Sequence, residues 1–196
     1  MSDIPSDITP AVGYLSGQLL IATPLVTSPG FSKSVIFMCA HDKAGAMGII
    51  INHIIDNISY KELFDQLSIK RVSEIERLPV HYGGPVEINR GFVIYHFDQT
   101  PFPDTIISVN NIAISSSLHV LRDIAMGEGP KERILALGYA GWGAGQLEAE
   151  MEANSWISVP AEKALIFDTD NATKWKRAAE SQGIDISKLT SDAGHA

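Results

Sequence analysis

The sequence predicts an α+β fold in which helices lie against a sheet of mixed strand direction. Apolar, β-branched runs at residues 34–40 and 46–52 enclose the polar stretch HDKAG, a pattern typical of a β-hairpin. Helical patterns with recognisable ends are interspersed with further short strands. The strict βαβ alternation of a doubly wound sheet is missing from the pattern, which favours the α+β class.

Length and composition indicate one domain. A chain of 196 residues can bury one sizeable core, and 45% apolar with 19% charged residues is the composition of a folded globular protein. Residues 1–12 contain two prolines, two aspartates and two serines without periodicity, so we expect a loose N-terminal arm. We expect residues 13–196 to form a single domain.

The remaining elements are predicted in order from local signals. Ser59 followed by Glu62 is a capping-box pattern that starts a short helix. A second helix has a serine N-cap and ends before Gly127. Later helices are predicted around Leu147 and at residues 172–181. Strands are predicted at residues 80–82, 91–97, 106–109, 134–137, 156–159 and 164–167.

The charge balance disfavours polyanionic partners. The formal net charge is -8 and the isoelectric point is near 5.1, so the mean field repels nucleic acid and anionic membranes. Lys174, Lys176 and Arg177 form the best basic cluster, but acidic residues flank it, which favours a solvated helix face. We therefore expect no direct nucleic-acid binding.

Cysteine content and hydropathy indicate a cytoplasmic protein. One cysteine permits no intrachain disulfide, and the N-terminal residues lack the basic and apolar regions of a signal peptide. The most apolar runs fall short of the roughly 18 residues that a membrane-spanning helix needs. We expect no membrane association.

The stretch GYAGWGAGQLEAE, residues 138–150, is the first candidate site. A glycine-rich turn before a helix can bind anions through free backbone N–H groups. However, Gly141, Gly143 and Gly145 form GxGxG, and Gln146 occupies the place of the third glycine in a dinucleotide fingerprint. Close backbone packing around Trp142 is the favoured alternative to phosphate binding.

Further polar residues border apolar elements and complete the candidate set. Gly83, Gly84 and Pro85 demand a second tight turn or irregular loop. His41 lies two residues from Cys39 on one strand face, as a base beside a thiolate would, although a buried cysteine is the favoured interpretation. The remaining pocket candidates are Asn52, Gln146, Glu150 and Asn154.

Motifs for metal or covalent chemistry are missing from the sequence. The histidines form neither HxH nor HExxH, there is no CxxC, and no serine lies in GxSxG. Glu148 and Glu152 share a helix face, but two carboxylates are too few for a hard cation. We therefore expect no metal and no cofactor, and the catalytic residues, if any, are unknown.

Taken together, the motifs resemble the AlgH/YqgE family from about Gly13 to the C-terminus. The motifs, in order, are GQLLIATP (17–24), HDKAGAMGIIIN (41–52), YGGPV (82–86), GYAGWGAGQLEAE (138–150), NSW (154–156) and the terminal GHA. The resemblance implies a bacterial cytosolic α+β protein with a bifurcated sheet, a small closed barrel and surrounding helices. Family members usually follow the asparagine of the second motif with a basic residue and proline, whereas this chain has His53 and Ile54.

Three functional hypotheses follow. The family has no established activity, and its name reflects a proposed role in regulating alginate synthesis. The leading hypothesis is a non-enzymatic regulatory or adaptor protein that uses a protein partner or small ligand near the two glycine-rich loops. The alternative is an enzyme or a nucleotide-binding protein whose pocket unites His41, Asn52, Gln146 and Glu150. A transcriptional regulator is third, disfavoured by charge and by the lack of a helix-turn-helix pattern.

Overall fold

The computed structural model describes residues 14–72 and 78–185. The expected N-terminal arm and the terminal GHA lie outside these residues. The described strands are β1 Gln18–Ala22, β2 Val35–Asp42, β3 Gly45–Ile50, β4 Ile54–Ser59, β5 Pro79–Tyr82, β6 Val86–His96, β7 Thr105–Val109, β8 Ile112–Ser115, β9 Arg133–Gly143 and β10 Trp156–Pro160. The helices are α1 Tyr60–Gln66, α2 Leu118–Met126, α3 Gln146–Glu152 and α4 Asn171–Glu180, with a π-helical segment at Ala164–Asp168.

Strand β9 is the branch point of the sheet. The main strand order is β10-β1-β2-β3-β9-β6-β8-β7, and β5 pairs with both β4 and β9. The first half of β9 lies between β6, which is antiparallel, and β5, which is parallel. The second half pairs with β3 in an antiparallel register, with Gly45 opposite Gly143. The sheet therefore divides where β9 changes its partner.

The α+β class is confirmed, and the finer topology differs in one respect. Helices and the π-helical segment pack against a strongly curled sheet, which is of mixed strand direction because β5 runs parallel to β9. Among the described strands, β10 and β7 stand at opposite ends of the order and do not pair with each other. The small closed barrel that the family resemblance implied is therefore not confirmed.

Three apolar clusters hold the sheet to its helices. One cluster packs α4 and the π-helical segment against strands on one side, through residues such as Phe37, Ile94 and Ala178. A second lies beneath α1 and α2, and the third surrounds Trp142 and Trp156 beside α3. None of the described helices is long and apolar enough to cross a membrane.

The hairpin and the helix ends agree with the sequence predictions. Strands β2 and β3 pair as an antiparallel hairpin. At the start of α1, the Glu62 carboxylate accepts a hydrogen bond from the backbone N–H of Ser59 at 3.0 Å. The Ser117 hydroxyl accepts from the N–H of His119 at 3.1 Å, and α2 ends at Gly127, whose φ is 82°. These local signals determine helix ends because they satisfy backbone groups that the helix leaves free.

One predicted strand is wrong. Residues 164–167 form part of the π-helical segment, and Leu165 and Ile166 are buried against the main core cluster. A short apolar run cannot be distinguished from a buried helical segment by periodicity alone. Strands β1, β4 and β8 were not predicted as separate elements.

Candidate functional site

The first glycine-rich stretch is mostly strand rather than loop. Gly138 to Gly143 extend β9 because residues 140–143 pair with β3. Ala144 and Gly145 alone form the turn, and Gly145 is the left-handed N-cap of α3 with φ 73°. The predicted turn before a helix is therefore two residues long, and α3 has only seven residues. The expected loop between strand and helix is wrong in its extent.

The two glycine-rich segments pack directly against each other. A Cβ at Gly83 would lie 2.2 Å from the carbonyl oxygen of Gly138, and one at Gly84 would lie 2.2 Å from the carbonyl carbon of Tyr139. Such contacts leave no room for a side chain. In addition, the Gly83 N–H donates to the Leu137 carbonyl at 2.8 Å. These glycines let two stretches of backbone approach each other at the branch of the sheet.

Pro85 leads into a wide bulge at the start of β6. The register between β6 and β9 shifts between Val86 and Gly91, so residues 87–90 lie outside the ladder. The sequence placed this whole segment in a loop, whereas its residues belong to β6. A bulge can turn side chains outward. Ile88 within the bulge and Val86 at the pair before it are both exposed.

Glu150 is the centre of a hydrogen-bond network at α3. Its Oε2 accepts from the indole N–H of Trp142 at 2.9 Å and from that of Trp156 at 2.7 Å. Its Oε1 accepts from Gln146 at 2.9 Å, and the Gln146 Oε1 accepts from the Gly143 N–H at 3.0 Å. Trp142 is buried, in edge-to-face contact with Trp156. The carboxylate thus ties β9, α3 and β10 together.

The environment of Glu150 favours its ionised form. Burial by itself would raise the pKa of this carboxyl group, but hydrogen bonds from Trp156, Gln146 and Trp142 outweigh that effect and lower the pKa. A carboxyl group is most efficient as a general acid or base when its pKa lies near the working pH. Glu150 has the opposite shift, which does not support the enzyme hypothesis at this position.

His41 has a defined tautomer beside α3. Its Nδ1 accepts from the backbone N–H of Leu15 at 3.2 Å, so the proton lies on Nε2, which donates to Glu148 at 3.0 Å.

Burial raises the pKa of the Cys39 thiol, which lies near the carbonyl of Phe37. Cys39 is therefore not poised as a thiolate, and His41 bonds to a carboxylate rather than to a nucleophile.

Asn52 and Asn154 make structural contacts away from that network. The Asn52 side chain accepts from the Val35 N–H at 2.7 Å and donates to the Lys33 carbonyl at 2.9 Å, which closes the open end of the hairpin. His41 lies six residues from Val35 along β2, roughly 20 Å at the usual rise of a strand. Asn154 has φ 56° after α3, and its carbonyl accepts from the Thr23 hydroxyl. The structure thus brings His41, Gln146 and Glu150 to α3, and Asn52 lies elsewhere.

A second polar site contains residues that the sequence did not single out for chemistry. Asn52 lines an open cavity of about 500 Å³, called here the Asn171 cavity, whose walls are Pro29, Gly30, Asn52, His53, Ile54, Tyr82, Asn171 and Ala172. The buried His81 and Lys174 lie next to Asn171. Lys174 was expected on a solvated face, which is wrong because it is only 2% exposed. Its spacing of four residues from the buried Ala178 was the available signal.

The charges of this second site are set by burial. Burial lowers the pKa of Lys174 to about 8, and the nearby Asp170 opposes that shift. Burial also lowers the pKa of His81 to about 4, with Lys174 acting in the same direction and Asn171 against it. His81 is therefore neutral at physiological pH. Within residues 14–72 and 78–185, no group of three or more histidine, cysteine or acidic side chains is placed to hold a metal ion.

Fold and sites together define a sheet-dominated α+β protein with a branched sheet, a tryptophan–carboxylate network and a separate polar cavity. The chain belongs to the AlgH-like family, whose model matches residues 19–187. A UPF0301 protein of Methylocella silvestris is 45% identical over 190 residues, which cover 93% of this chain and 92% of that protein. One of Jannaschia sp. is 43% identical and covers 100% of this chain and 99% of its own length.

Two solved structures share the fold. The solution structure of the AlgH protein from Pseudomonas aeruginosa is 36% identical, with a TM-score of 0.76, and the match covers 97% of this chain and all of that chain. A crystal structure of a Corynebacterium diphtheriae protein has a TM-score of 0.72 at 18% identity, over 94% of each chain. The second likeness establishes the fold alone.

Proposed function

We propose that this protein is a non-enzymatic regulatory or adaptor protein that binds an extended segment of a protein partner along the glycine strip. The glycine strip consists of Gly141, Gly143 and Gly145, bordered by Val86 and Ile88. The observation that carries the proposal is the contrast between side chains whose polar groups are hydrogen-bonded to one another and a backbone that is exposed. The polar groups of Trp142, Gln146 and Glu150 are bonded to one another, while the three glycines are exposed.

The open space above the strip supports a binding role. A Cβ at Gly141 would meet nothing nearer than 3.6 Å, and one at Gly143 nothing nearer than 3.9 Å. Neither position needs glycine for internal packing, in contrast to Gly83 and Gly84. Small residues where packing does not require them leave room for another backbone to approach.

The direction of the backbone groups suggests how the partner binds. The Gly143 N–H donates to the Gln146 side chain, so it points away from strand β3. Alternate residues of a strand direct their N–H groups to the same side, and Gly141 should therefore point outward as well. An extended segment can bind such an edge by strand addition.

The surroundings define the chemistry of the partner segment. Val86 and Ile88 supply apolar contact beside the strip, and Glu148 contributes negative charge near it, whereas Glu87 is paired with Arg90 at 3.0 Å. The net charge of -8 adds to this potential. We expect an extended segment with small or apolar side chains and flanking basic residues. The same charges oppose the nucleotide and DNA hypotheses.

The test compares surface variants that should all fold. Gly141→Val fills the strip with a residue that strands favour. Ile88→Asp removes apolar contact, and Met126→Asp is its matched control, since Ile88 is 57% and Met126 51% exposed. Proteins captured from cell extract by cross-linking would be identified and then tested as purified proteins for direct binding.

The expected result is a partner that binds wild type and Met126→Asp but loses affinity at least about tenfold for Gly141→Val and Ile88→Asp. The proposal fails if every partner binds all the folded variants equally.

A further inference from the structure

The His41 ring holds residues 14–17, called here the Leu15 strap, against strand β2. The backbone N–H of Leu15 donates to Nδ1 of His41 at 3.2 Å. The Tyr14 ring packs edge-to-face on the imidazole, with 4.8 Å between the ring centroids. Further along, the Gly17 N–H donates to a backbone carbonyl of β2 at 2.8 Å. The strap therefore has one anchor on a titratable side chain and a second on backbone.

The bond from Leu15 requires a neutral His41. A neutral imidazole has one acceptor nitrogen and one donor nitrogen, and here the donor is Nε2, which bonds to Glu148 at 3.0 Å. Protonation adds an N–H at Nδ1, so that both ring nitrogens are donors. Because an imidazolium has no acceptor in either orientation of the ring, the Leu15 N–H then loses its partner. Two N–H groups would face each other in place of the bond.

The same protonation strengthens the bond on the other side of the ring. A hydrogen bond between a charged donor and a carboxylate is stronger than one from a neutral donor. The pKa of Glu148 lies below its ordinary value, chiefly because of a hydrogen bond from its own backbone, with the His41 bond acting in the same direction. Glu148 therefore stays ionised where histidine side chains ordinarily titrate, between about pH 5 and 8. The charged ring is stabilised at α3 while its bond to the strap is lost.

The other side chains on this face of the sheet carry no charge. His41 pairs with Ala46 on β3, and Ala46 pairs with Trp142 on β9, so the three side chains share one face. Cys39 lies on the same face of β2, and burial raises the pKa of its thiol, which keeps its proton. The strap itself contributes the phenol ring of Tyr14. Among the described residues, Glu148 is thus the charged group that contacts the imidazole.

Further charged groups lie on the same elements but are engaged elsewhere or point away. On α3, Glu150 accepts from the indole of Trp142, and Glu152 lies one turn beyond Glu148. At the hairpin turn, the Asp42 carboxylate accepts from the Ala44 N–H at 2.7 Å. Lys43 follows in the exposed turn. Control of the strap by charge is therefore concentrated on His41 and Glu148.

We propose that His41 is a pH-sensitive latch that holds the Leu15 strap while neutral and releases residues 14 and 15 when it is protonated. The Leu15 side chain packs against the apolar cluster that contains Trp142 and Leu147. Release would uncover part of this cluster beside α3, while Gly17 stays bonded to β2. Acidification thus exposes an apolar surface that the neutral form covers. The latch acts on the strap and needs no partner, so its test is independent of the proposed function.

An NMR titration of the intact protein between about pH 8 and 5 tests the latch. The ¹⁵N signals of the His41 ring report its charge. Amide hydrogen exchange, corrected for the intrinsic effect of pH on the exchange rate, reports the protection of the Leu15 and Gly17 N–H groups. We expect the protection of Leu15 to fall at least about tenfold as His41 becomes charged. The protection of Gly17 should stay constant and serves as the internal control.

Three substitutions separate the latch from general acid sensitivity. His41→Gln places a side chain that does not titrate beside Leu15, and the fall in Leu15 protection should disappear. Glu148→Gln removes the carboxylate that stabilises the imidazolium, so the fall should move to lower pH by about half a unit. Glu152→Gln is the matched control on the same face of α3 and should leave the midpoint unchanged.

Constant protection of Leu15 while His41 becomes charged would overturn the proposal, as would a His41 that stays neutral until the protein unfolds. An equal loss of protection at Gly17 would show that the whole segment opens, and a fall that persists in His41→Gln would assign it to another group. Either result means that the latch is wrong. If the variants fail to fold, the wild-type titration decides, because His41, Leu15 and Gly17 are followed in one sample.

Discussion

The Glu150 carboxylate accepts the indole proton of Trp142 at 2.9 Å and joins helix α3 to the branching strand β9. The same oxygen accepts from Trp156, so two buried indoles depend on one acceptor. The bond between Trp142 and Glu150 explains why an acidic residue on a largely exposed helix is only partly exposed. It also makes Glu150 a structural residue whose removal can be measured.

Glu150→Ala should destabilise the fold by about 2–4 kcal/mol, because it leaves two buried indole N–H groups without an acceptor. Urea denaturation followed by tryptophan fluorescence gives the free energy of unfolding. Glu152→Ala is the matched control on the exposed side of α3 and should change that free energy by less than about 0.5 kcal/mol. Equal effects of the two substitutions would show that the network contributes little.

Gly83, which is packed against backbone, and Gly141, which is open to solvent, should respond differently to substitution by alanine. Gly83→Ala places a Cβ 2.2 Å from the Gly138 oxygen, and the backbone on both sides must move. We expect a loss of more than about 3 kcal/mol, or failure to fold. Gly141→Ala has an ordinary 3.6 Å contact and should stay within about 1 kcal/mol of wild type. Thermal unfolding of the pair measures the contrast, and similar melting temperatures would contradict the packing described for Gly83.

His81 should make stability depend on pH in mildly acidic solution. Burial lowers its pKa to about 4 in the folded state from 6.5, so between these values the unfolded chain binds the additional proton. Stability should therefore fall as the pH decreases from 6.5 to 4, by about 1.4 kcal/mol per pH unit from this group. His81→Asn should remove that contribution. Urea denaturation at pH 6.5, 5.5 and 4.5 gives the free energy of unfolding at each pH. If this free energy falls in parallel for wild type and His81→Asn, the prediction is wrong.

Lys174 should act on stability in the alkaline range. Its folded pKa of about 8 lies below the ordinary 10.5, so between these values the unfolded chain again holds more protons. Stability should rise with pH from 8 to 10.5, by up to about 3 kcal/mol from this group. Lys174→Met should lose that rise, whereas Lys176→Met, on the exposed side of α4, should keep it. If stability rises by the same amount in both variants, the rise comes from groups other than Lys174, and the prediction is wrong.

Local signals predicted much of the fold. The hairpin β2–β3 and the end of α2 at Gly127 follow from residues close in sequence, since turns and caps are short-range interactions. The family resemblance also indicated a branched sheet. The π-helical segment at residues 164–168 escaped prediction because its apolar run is equally compatible with a strand.

The candidate sites were predicted less completely. Trp142, Gln146 and Glu150 are close in sequence, and one turn of helix brings them together. In contrast, His81 and Lys174 are 93 positions apart, and only the tertiary fold brings them near each other. A histidine on a short strand carries no local sign of burial, and for Lys174 the sign is weak, namely its helical spacing from Ala178.

The sequence by itself determined the α+β class, most helix ends, the hairpin and the family, because these depend on periodicity, capping residues and ordered motifs. Tertiary structure alone decided that Gly83 and Gly84 serve backbone packing while Gly141 stays open. It also decided that Lys174 and His81 are buried. Contacts between distant segments set these properties, because burial and hydrogen bonding of a side chain depend on what packs over it.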